Sequence, residues 1–515
     1  MSSKLFSASI FGFDCKLVEV EVDILNGPSS ITIVGLGDTT VQESKERIRS
    51  AIKNSCVDYP RRKKTINLAP ADLPKHGPIF DLPIALGLLL QSEQIPANCL
   101  NETLVIGELA LSGELRSITG ILPIVAFAKQ NNFKTIIIPA ENALEASVVS
   151  GIQIIAAENL INLIEHLRGE NIIEPVPFTN TSEFKENGYI WHFEDIKGHE
   201  QTKRVLCIAA SGFHNVLLYG PPGSGKTILA RSCQSVLPQL EFEEAVEVTK
   251  IYSISGKLEN ENPLIKMAPF RAVHHTASAV SLVGGGTIPR PGEVSLSHCG
   301  VLFLDELLEF PRSNLDCLRQ PLEDGKININ RACGSVQFPA EFMLIAATNP
   351  CQCGYFGDPV KACICTPSKL EQYRKKLSGP LVDRIDLMCY VPRLPFEKIT
   401  QSSEVRETSA QMREKISNAR KIQLDRFVAG GDSKLSRKTV LTNGRMSSSM
   451  TKKICELDAR GAALMKDAFA RLQLSGRAYY KILKVARTIA DLEGCANIKE
   501  NHLAEALQYR PRIDF

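Results

Sequence analysis

The sequence predicts an α/β protein with a helical C-terminal region. Three observations carry this reading. Apolar strands and helices alternate over residues 1–170, they alternate again over about 190–395, and from about 396 to 515 the apolar positions follow helical spacing. In the first stretch, LVEVEVDI and SITIVGL place apolar residues at period two and read as strands. TTVQESKERIRSAIKNS brings Val41, Ile48 and Ile52 near one helical face. DLPIALGLLLQ reads as a buried helix and KTIIIP as a short buried strand. Residues 171–189 hold two prolines and polar residues without period, which marks a linker. In the last stretch, AYYKILKVARTIADLEG spaces Ile482, Val485 and Ile489 along one helical face. Ser475 and Gly494 supply its start and stop signals. The polar, basic run at 433–453 reads as a mobile loop.

Composition narrows the function classes. The chain of 515 residues is long enough for about three domains. Lys and Arg number 60 against 57 Asp and Glu, so any basic surface is local rather than global. Disorder, a collagen-like fibre and a disulfide scaffold are excluded. Most of the 15 cysteines are scattered through apolar runs, which points to free thiols in a reducing compartment. No apolar run reaches the roughly 20 residues of a membrane helix. The opening MSSKLFSASIFGFD lacks the apolar core of a signal peptide. A cytoplasmic protein with no membrane partner is expected.

Three strand ends carry chemistry. The strand VLLY runs into Gly220-Pro221-Pro222-Gly223-Ser224-Gly225-Lys226-Thr227, which fits the phosphate-loop pattern in its strand–loop–helix setting. Glycines let consecutive N–H groups turn inward on phosphate oxygens, Lys226 supplies charge for the β/γ-phosphates, and Thr227 offers a hydroxyl to Mg²⁺. GVLFLDELLEF ends its apolar run in Asp305-Glu306. Carboxylates there are costly to place without a cation or water to act on. Asp305 suits Mg²⁺ and Glu306 suits the attacking water; the ordinary alternative is a helix N-cap at Asp305. FMLIAATN ends in Asn349, which could bond a γ-phosphate or the water beside it, or serve as a turn residue before Pro350. Together they place a ligand at the carboxyl edge of an open sheet.

These residues, with the run PFRAVHHTASAVSLVGGGTIPRPGEVSLSHCG, resemble the YifB/ComM branch of the magnesium-chelatase-like AAA+ ATPases, over essentially the whole chain. Val273 stands where a proline is usual and Cys299 where an asparagine is usual. The resemblance implies an AAA+ P-loop NTPase core and a C-terminal helical lid, assembled as a homohexameric ring with ATP between subunits. Gly220 to Thr227 match Walker A, Asp305-Glu306 Walker B, and Asn349 sensor 1. Arg384 in GPLVDRIDL matches the arginine finger that enters the neighbour's site; its ordinary alternative is a salt bridge with Asp383 or Asp386. Arg477 in LSGRAYYK matches sensor 2; its alternative is a surface helix cap. DIKGHEQTKRVL resembles the segment packed on adenine, with Ile196 and Gly198 nearest the base.

Two inserts read as hairpins: SLVGGGTIPRPGEVSL, with Gly284–Gly286 and Pro289–Gly292 near the tip, and KININRACGSVQFP, turning at 331–334. The resemblance places both at the ring's pore, where Arg290, Arg331 and Lys326 would meet a DNA backbone; solvated hairpin charges are the alternative. The stripe Lys481, Lys484 and Arg487 reads better as a solvated helix face than as a DNA contact. Cys351-x-Cys353 and Cys363-x-Cys365 could form a tetrahedral structural Zn²⁺ site, a metal-free loop or redox-sensitive thiols.

Residues 107–139 and KHGPIFD at 75–81 resemble the proteolytic domain of Lon proteases, which implies an N-terminal ribosomal-S5-like α/β domain. Ile79 falls at the Ser position and Leu122 at the Lys position, so the peptidase dyad is missing. Lys75 and Ser117 lie nearby in sequence and read as incidental. The expected layout is 1–170 Lon-like, 171–189 linker, 190–395 ATPase core and 396–515 lid. The family points to helicase or branch-migration activity on single-stranded or branched recombination intermediates in natural transformation, with recombination proteins as partners. An ion-insertion motor and a protein-remodelling chaperone are the alternatives.

Overall fold

The computed structural model describes residues 2–179, 188–259, 262–286, 289–331, 334–376, 379–395, 407–429 and 441–510. The chain divides into two compact units. One is Met1–Lys185 with Val246–Ile265 and Asn328–Gln337; the other is Glu186–Ala245, Lys266–Ile327 and Phe338–Phe515. Residues 180–187 of the expected linker and 433–440 of the expected mobile loop lie outside the described residues.

The first unit is built on one mixed sheet. Its strands are β1 (Ser3–Phe11), β2 (Asp14–Leu25), β3 (Ser30–Val34), β4 (Lys63–Ala69), β5 (Thr103–Val105), β6 (Thr135–Pro139) and β7 (Gln153–Ala157). They are ordered β3-β4-β2-β1-β5-β6-β7. β2 pairs antiparallel with β1 and β4, and the remaining neighbours are parallel. The period-two pattern of β2 has a plain cause: Val18, Val20 and Val22 are buried while Glu19, Glu21 and Asp23 keep partial access to water. Helix α1 (Thr39–Asn54) starts where the Asp38 carboxylate accepts the Val41 N–H, and it buries Val41, Ile48 and Ile52 as its spacing predicts. Helix α2 (Asp81–Gln91) is buried from Asp81 to Leu89. Arg47 Nε donates to the buried Asp81 carboxylate at 2.7 Å and ties α1 to α2.

The second unit carries a five-stranded, all-parallel sheet. Its strands are β8 (Val216–Tyr219), β9 (Phe270–Val273), β10 (Val301–Leu304), β11 (Met343–Thr348) and β12 (Leu387–Tyr390). Their order is β9-β10-β11-β8-β12. β10 and β11 are buried at every position, which is why they read as unbroken apolar runs. Pairing of Tyr219 with Thr348, and of Leu304 with Ala346, brings three strand ends to one edge. Sequence order reverses at β8, so the crevice beyond β8 is where an open α/β sheet binds its ligand.

The C-terminal region is helical, with α4 (Ser409–Ala429), α5 (Ser448–Ile454), α6 (Ala459–Leu472), α7 (Gly476–Leu492) and α8 (Glu500–Gln508) following α3 (Lys226–Ser232) of the core. Ser475 caps α7 by accepting the Ala478 N–H.

Three expectations need correction. Residues 443–445 form a 3-10 turn and 448–454 form α5, so this part of the basic run is ordered by the Ser447 cap rather than looped. In the first insert only Gly284–Gly285 pairs with Arg290–Pro291, because Ala279–Val283 and Glu293–Leu296 are helical and the former is capped by Ser278. The stripe on α7 is not solvated. Lys481 donates to the Ile385 carbonyl at 2.7 Å, and Lys484 to that of Gly444 at 3.1 Å. Arg487 is 2% exposed. Its Nε donates to Asp491 at 3.1 Å and its Nη1 to the Ala496 carbonyl at 2.8 Å. Arg487 is buried and the two lysines are half-buried, each with oxygen partners that periodicity cannot reveal. Arg487→Leu is expected to cost about 3 kcal/mol, since it strips donors from a buried carboxylate and two carbonyls. Thermal melting should show the loss, and an unchanged melting temperature would contradict it.

Candidate functional site

Every group of the phosphate-loop segment sits where the β8 edge puts it. Gly220 N–H donates to the Thr348 carbonyl at 3.3 Å, which joins the loop to the end of β11. A Cβ on Gly220 would collide with the Val391 carbonyl oxygen, so no other residue fits there. Gly223 takes φ +75° and faces open space, with nothing within 4 Å of where a Cβ would stand. The loop turns into α3 at Lys226. Lys226 Nζ donates to the carbonyls of Gly220 at 2.8 Å and Pro221 at 2.9 Å, and to Asn349 Oδ1 at 3.2 Å. Burial lowers its pKa to about 8, with Asp305 and Glu306 pulling the other way. Ser224 Oγ is buried with no hydrogen-bond partner among the described residues. An inward-turned loop, a lysine ammonium and an unpaired hydroxyl suit a phosphate oxyanion.

The carboxylate pair follows β10. Asp305 Oδ2 accepts from Thr227 Oγ1 at 2.7 Å, and its Oδ1 from the Glu306 N–H at 2.9 Å. Thr227 and Asp305 therefore offer adjacent oxygens to a hard divalent cation. Glu306 takes a left-handed φ of 51° just before the 3-10 turn Leu307–Glu309, and its side chain makes no capping hydrogen bond there. His275 Nδ1 lies 3.2 Å from Glu306 Oε2. Sequence reasoning missed His275, although two adjacent histidines after an apolar strand were signal enough to test.

Ile196 is buried, and its carbonyl accepts from Lys203 Nζ at 2.7 Å. Gly198 has φ +62° and packs under Leu394. The next residue, His199, was also missed. It takes φ 61°, and its Nε2 lies 3.8 Å from where a Cβ on Gly225 would stand. Burial lowers its pKa, which favours a neutral ring beside the loop.

Arg384 and Arg477 come together elsewhere. Both line a cavity of about 550 Å³ with Glu323, Asp383, Asp386 and Lys481, and none of Gly220–Thr227 is among its walls. The Arg384 guanidinium pairs with Glu323 and the Pro380 carbonyl, not with Asp383 or Asp386. Asp386 is engaged otherwise: burial opposes its charge, yet Lys481, His214 and the Asn215 N–H hold its pKa well below the usual carboxylate range. Arg477 is exposed, 3.8 Å from Asp383, and lies in the first turn of α7 rather than at its cap.

Arg290 and Lys326 are exposed at the two inserts. Lys326–Arg331 and Gly334–Pro339 form a two-stranded sheet with Ile327, Ile329, Val336 and Phe338 buried. The side chain of Arg331 and residues 332–333 lie outside the described residues. Cys351, Cys353, Cys363 and Cys365 gather with all four sulfurs within 4.8 Å of one another. In the first unit Leu122 is buried and Ile79 half-buried. Lys75 is buried with its ammonium on the Pro70 carbonyl, and Ser117 is exposed. No helix among the described residues is long and apolar enough to cross a membrane.

Comparison with known proteins agrees with this architecture. Residues 192–399 match the description "Magnesium chelatase, subunit ChlI", 20–142 "Subunit ChlI of Mg-chelatase", and 406–510 "Magnesium chelatase, subunit ChlI C-terminal". The chain is 43% identical to the competence protein ComM of Haemophilus influenzae, across 99% of this chain and 97% of ComM. It is 40% identical to YifB of Escherichia coli, again across 99% and 97%. A weaker likeness, 30% identity over 30% of this chain and 32% of the relative, links it to Lon protease 2 of Bacillus subtilis. With full-length identity at this level and chelatase-type descriptions matching three successive regions, the chain belongs to the ComM/YifB family of magnesium-chelatase-like AAA+ proteins.

Proposed function

We propose that this protein is an ATP hydrolase that works in the cytoplasm as a homohexameric DNA motor, driving strand separation or branch migration on recombination intermediates. The observation that carries the reading is a division within one chain. Lys226, Thr227, Asp305, Glu306 and Asn349 meet at one sheet edge, while Arg384 and Arg477 line a separate cavity. A head-to-tail ring would bring one protomer's arginines to the next protomer's loop and complete the site.

The loop residues fit a triphosphate. Ser224 Oγ lacks a partner, Gly223 leaves open space, and Lys226 can exchange carbonyls for phosphate oxygens. Ile196 and Gly198 would lie against the base. Thr227 and Asp305 would hold Mg²⁺, which neutralises charge on the β- and γ-phosphates. Glu306 would orient and deprotonate the attacking water, with His275 Nδ1 3.2 Å from its carboxylate. Asn349 bonds Lys226 and stands ready to bond the γ-phosphate. Arg384 from the neighbour would stabilise the charge of the transferring phosphoryl.

The DNA part rests on exposed Arg290 and Lys326, on Arg331, and on insert tips of glycine, proline and arginine rather than aromatic residues. The relative named for competence points to natural transformation, with recombination proteins as partners. The Lon-like first unit, with Ile79 and Leu122 where a dyad would stand, serves ring assembly. A labelled forked or four-way DNA should lose a strand only with ATP. Arg331→Ala should weaken DNA binding and reduce its salt slope by about 1. A protein that hydrolyses ATP yet neither binds nor moves these DNAs at any salt concentration is instead a protein-remodelling or ion-insertion motor.

A further inference from the structure

The cysteine cluster follows the site directly. After β11 ends at Thr348, the chain passes Asn349 and Pro350 and turns at Cys351, which is fully buried. The Gly354 N–H closes the turn on the Cys351 carbonyl at 2.9 Å. Cys351 Sγ lies 3.3 Å from Cys353 Sγ and 3.7 Å from Cys363 Sγ, and the last two are 3.5 Å apart. Cys365 completes a set of four within 4.8 Å. None of the four forms a disulfide. Zinc–sulfur bonds of about 2.3 Å give a tetrahedron with edges of about 3.8 Å. The observed edges fit one small ion and are too short to enclose a multi-iron cluster. Backbone N–H groups also aim at sulfur: Phe356 N–H at Cys351 Sγ, 3.3 Å, and Cys365 N–H at Cys363 Sγ, 3.4 Å. Such donors stabilise thiolate charge around a metal. Four thiolates leave no open position, so the site is structural rather than catalytic, and soft sulfur ligands select zinc.

The turn that runs from Cys351 to Gly354 touches the phosphate loop. Gly354 has φ +84°, and a Cβ there would stand 2.7 Å from Pro222 Cδ. Asn349, two residues before the first ligand, accepts from Lys226. One short segment thus abuts the loop's outer wall and also supplies the amide that bonds its lysine.

We infer that Cys351, Cys353, Cys363 and Cys365 bind a single structural Zn²⁺, and that this metal knuckle is the strut that holds the phosphate loop and Asn349 in register. Without the ion, four crowded thiols have no reason to converge. The metal site stands by itself; its coupling to nucleotide rests on the ATP reading above.

The test begins with full-length protein from zinc-replete cells. Elemental analysis should give about one zinc per chain and a colourless solution. Titration with a mercurial should release that zinc to a chromophoric indicator. The Cys353→Ser/Cys365→Ser double variant should retain under about a tenth of it. When a chelator rather than the mercurial removes zinc from the folded wild type under reducing conditions, checked by circular dichroism, affinity for a fluorescent ATP analogue should fall at least about tenfold and return with added zinc. Absent zinc, iron in its place with visible colour, or full zinc in the double variant overturns the site. Unchanged nucleotide affinity after complete release overturns the strut. Failure to bind nucleotide with zinc fully loaded counts against the ATP reading and leaves the metal site standing.

Discussion

Lys226→Ala protein is expected to lose ATP binding by at least about 100-fold and hydrolysis to background, while keeping its fold. Charge-assisted hydrogen bonds contribute about 1.5–3 kcal/mol each, and a triphosphate would take at least two from this ammonium. The folded chain has less at stake. Lys226 holds the Gly220 and Pro221 carbonyls at 2.8 and 2.9 Å, and water can replace it at an open crevice. Titration with a fluorescent ATP analogue, phosphate release and thermal melting separate the two effects. Wild-type affinity within about threefold would remove Lys226 from the site. A pH series adds a second check. Burial lowers the lysine's pKa to about 8 in the free loop, so above that pH binding must take up a proton. Wild-type affinity should therefore decline as pH rises through about 8, and the alanine variant should lack that step.

The convergence of the phosphate-loop segment with two other strand ends was legible because it depends on local rules. A glycine-rich turn between a strand and a helix constrains its own backbone, and fully buried parallel strands announce themselves as apolar runs. Thus Gly220–Thr227, Asp305 and Asn349 could be placed before any coordinates, and the sheet register then brought them together. Side chains whose partners lie far away in sequence were not legible. Lys481 and Lys484 have helical spacing, and nothing local shows that the Ile385 and Gly444 carbonyls await them. Arg384 pairs with Glu323 rather than its sequence neighbours for the same reason. His199 was missed because a lone histidine signals little until a phosphate loop is seen beside it, and His275 because the adjacent pair His274-His275 says nothing of which carboxylate it meets.

Arg384→Ala should retain ATP binding within a few-fold yet lower hydrolysis about 1000-fold, the scale typical of an arginine supplied to a phosphoryl transfer. In the single chain its guanidinium is occupied by Glu323 and the Pro380 carbonyl, and its cavity does not include the phosphate loop. In the proposed ring, closure would exchange the Glu323 pair for the neighbour's γ-phosphate. This makes a mixing experiment decisive. Lys226→Ala subunits lack a working loop but carry Arg384, and Arg384→Ala subunits have the reverse. In mixed rings an Arg384→Ala protomer followed by a Lys226→Ala protomer forms one complete site. Equal, random mixing should then recover on the order of a quarter of wild-type hydrolysis from two inactive proteins. Were Arg384 to serve its own loop, each subunit would carry a defect in its only site, and no ratio of the two would restore turnover.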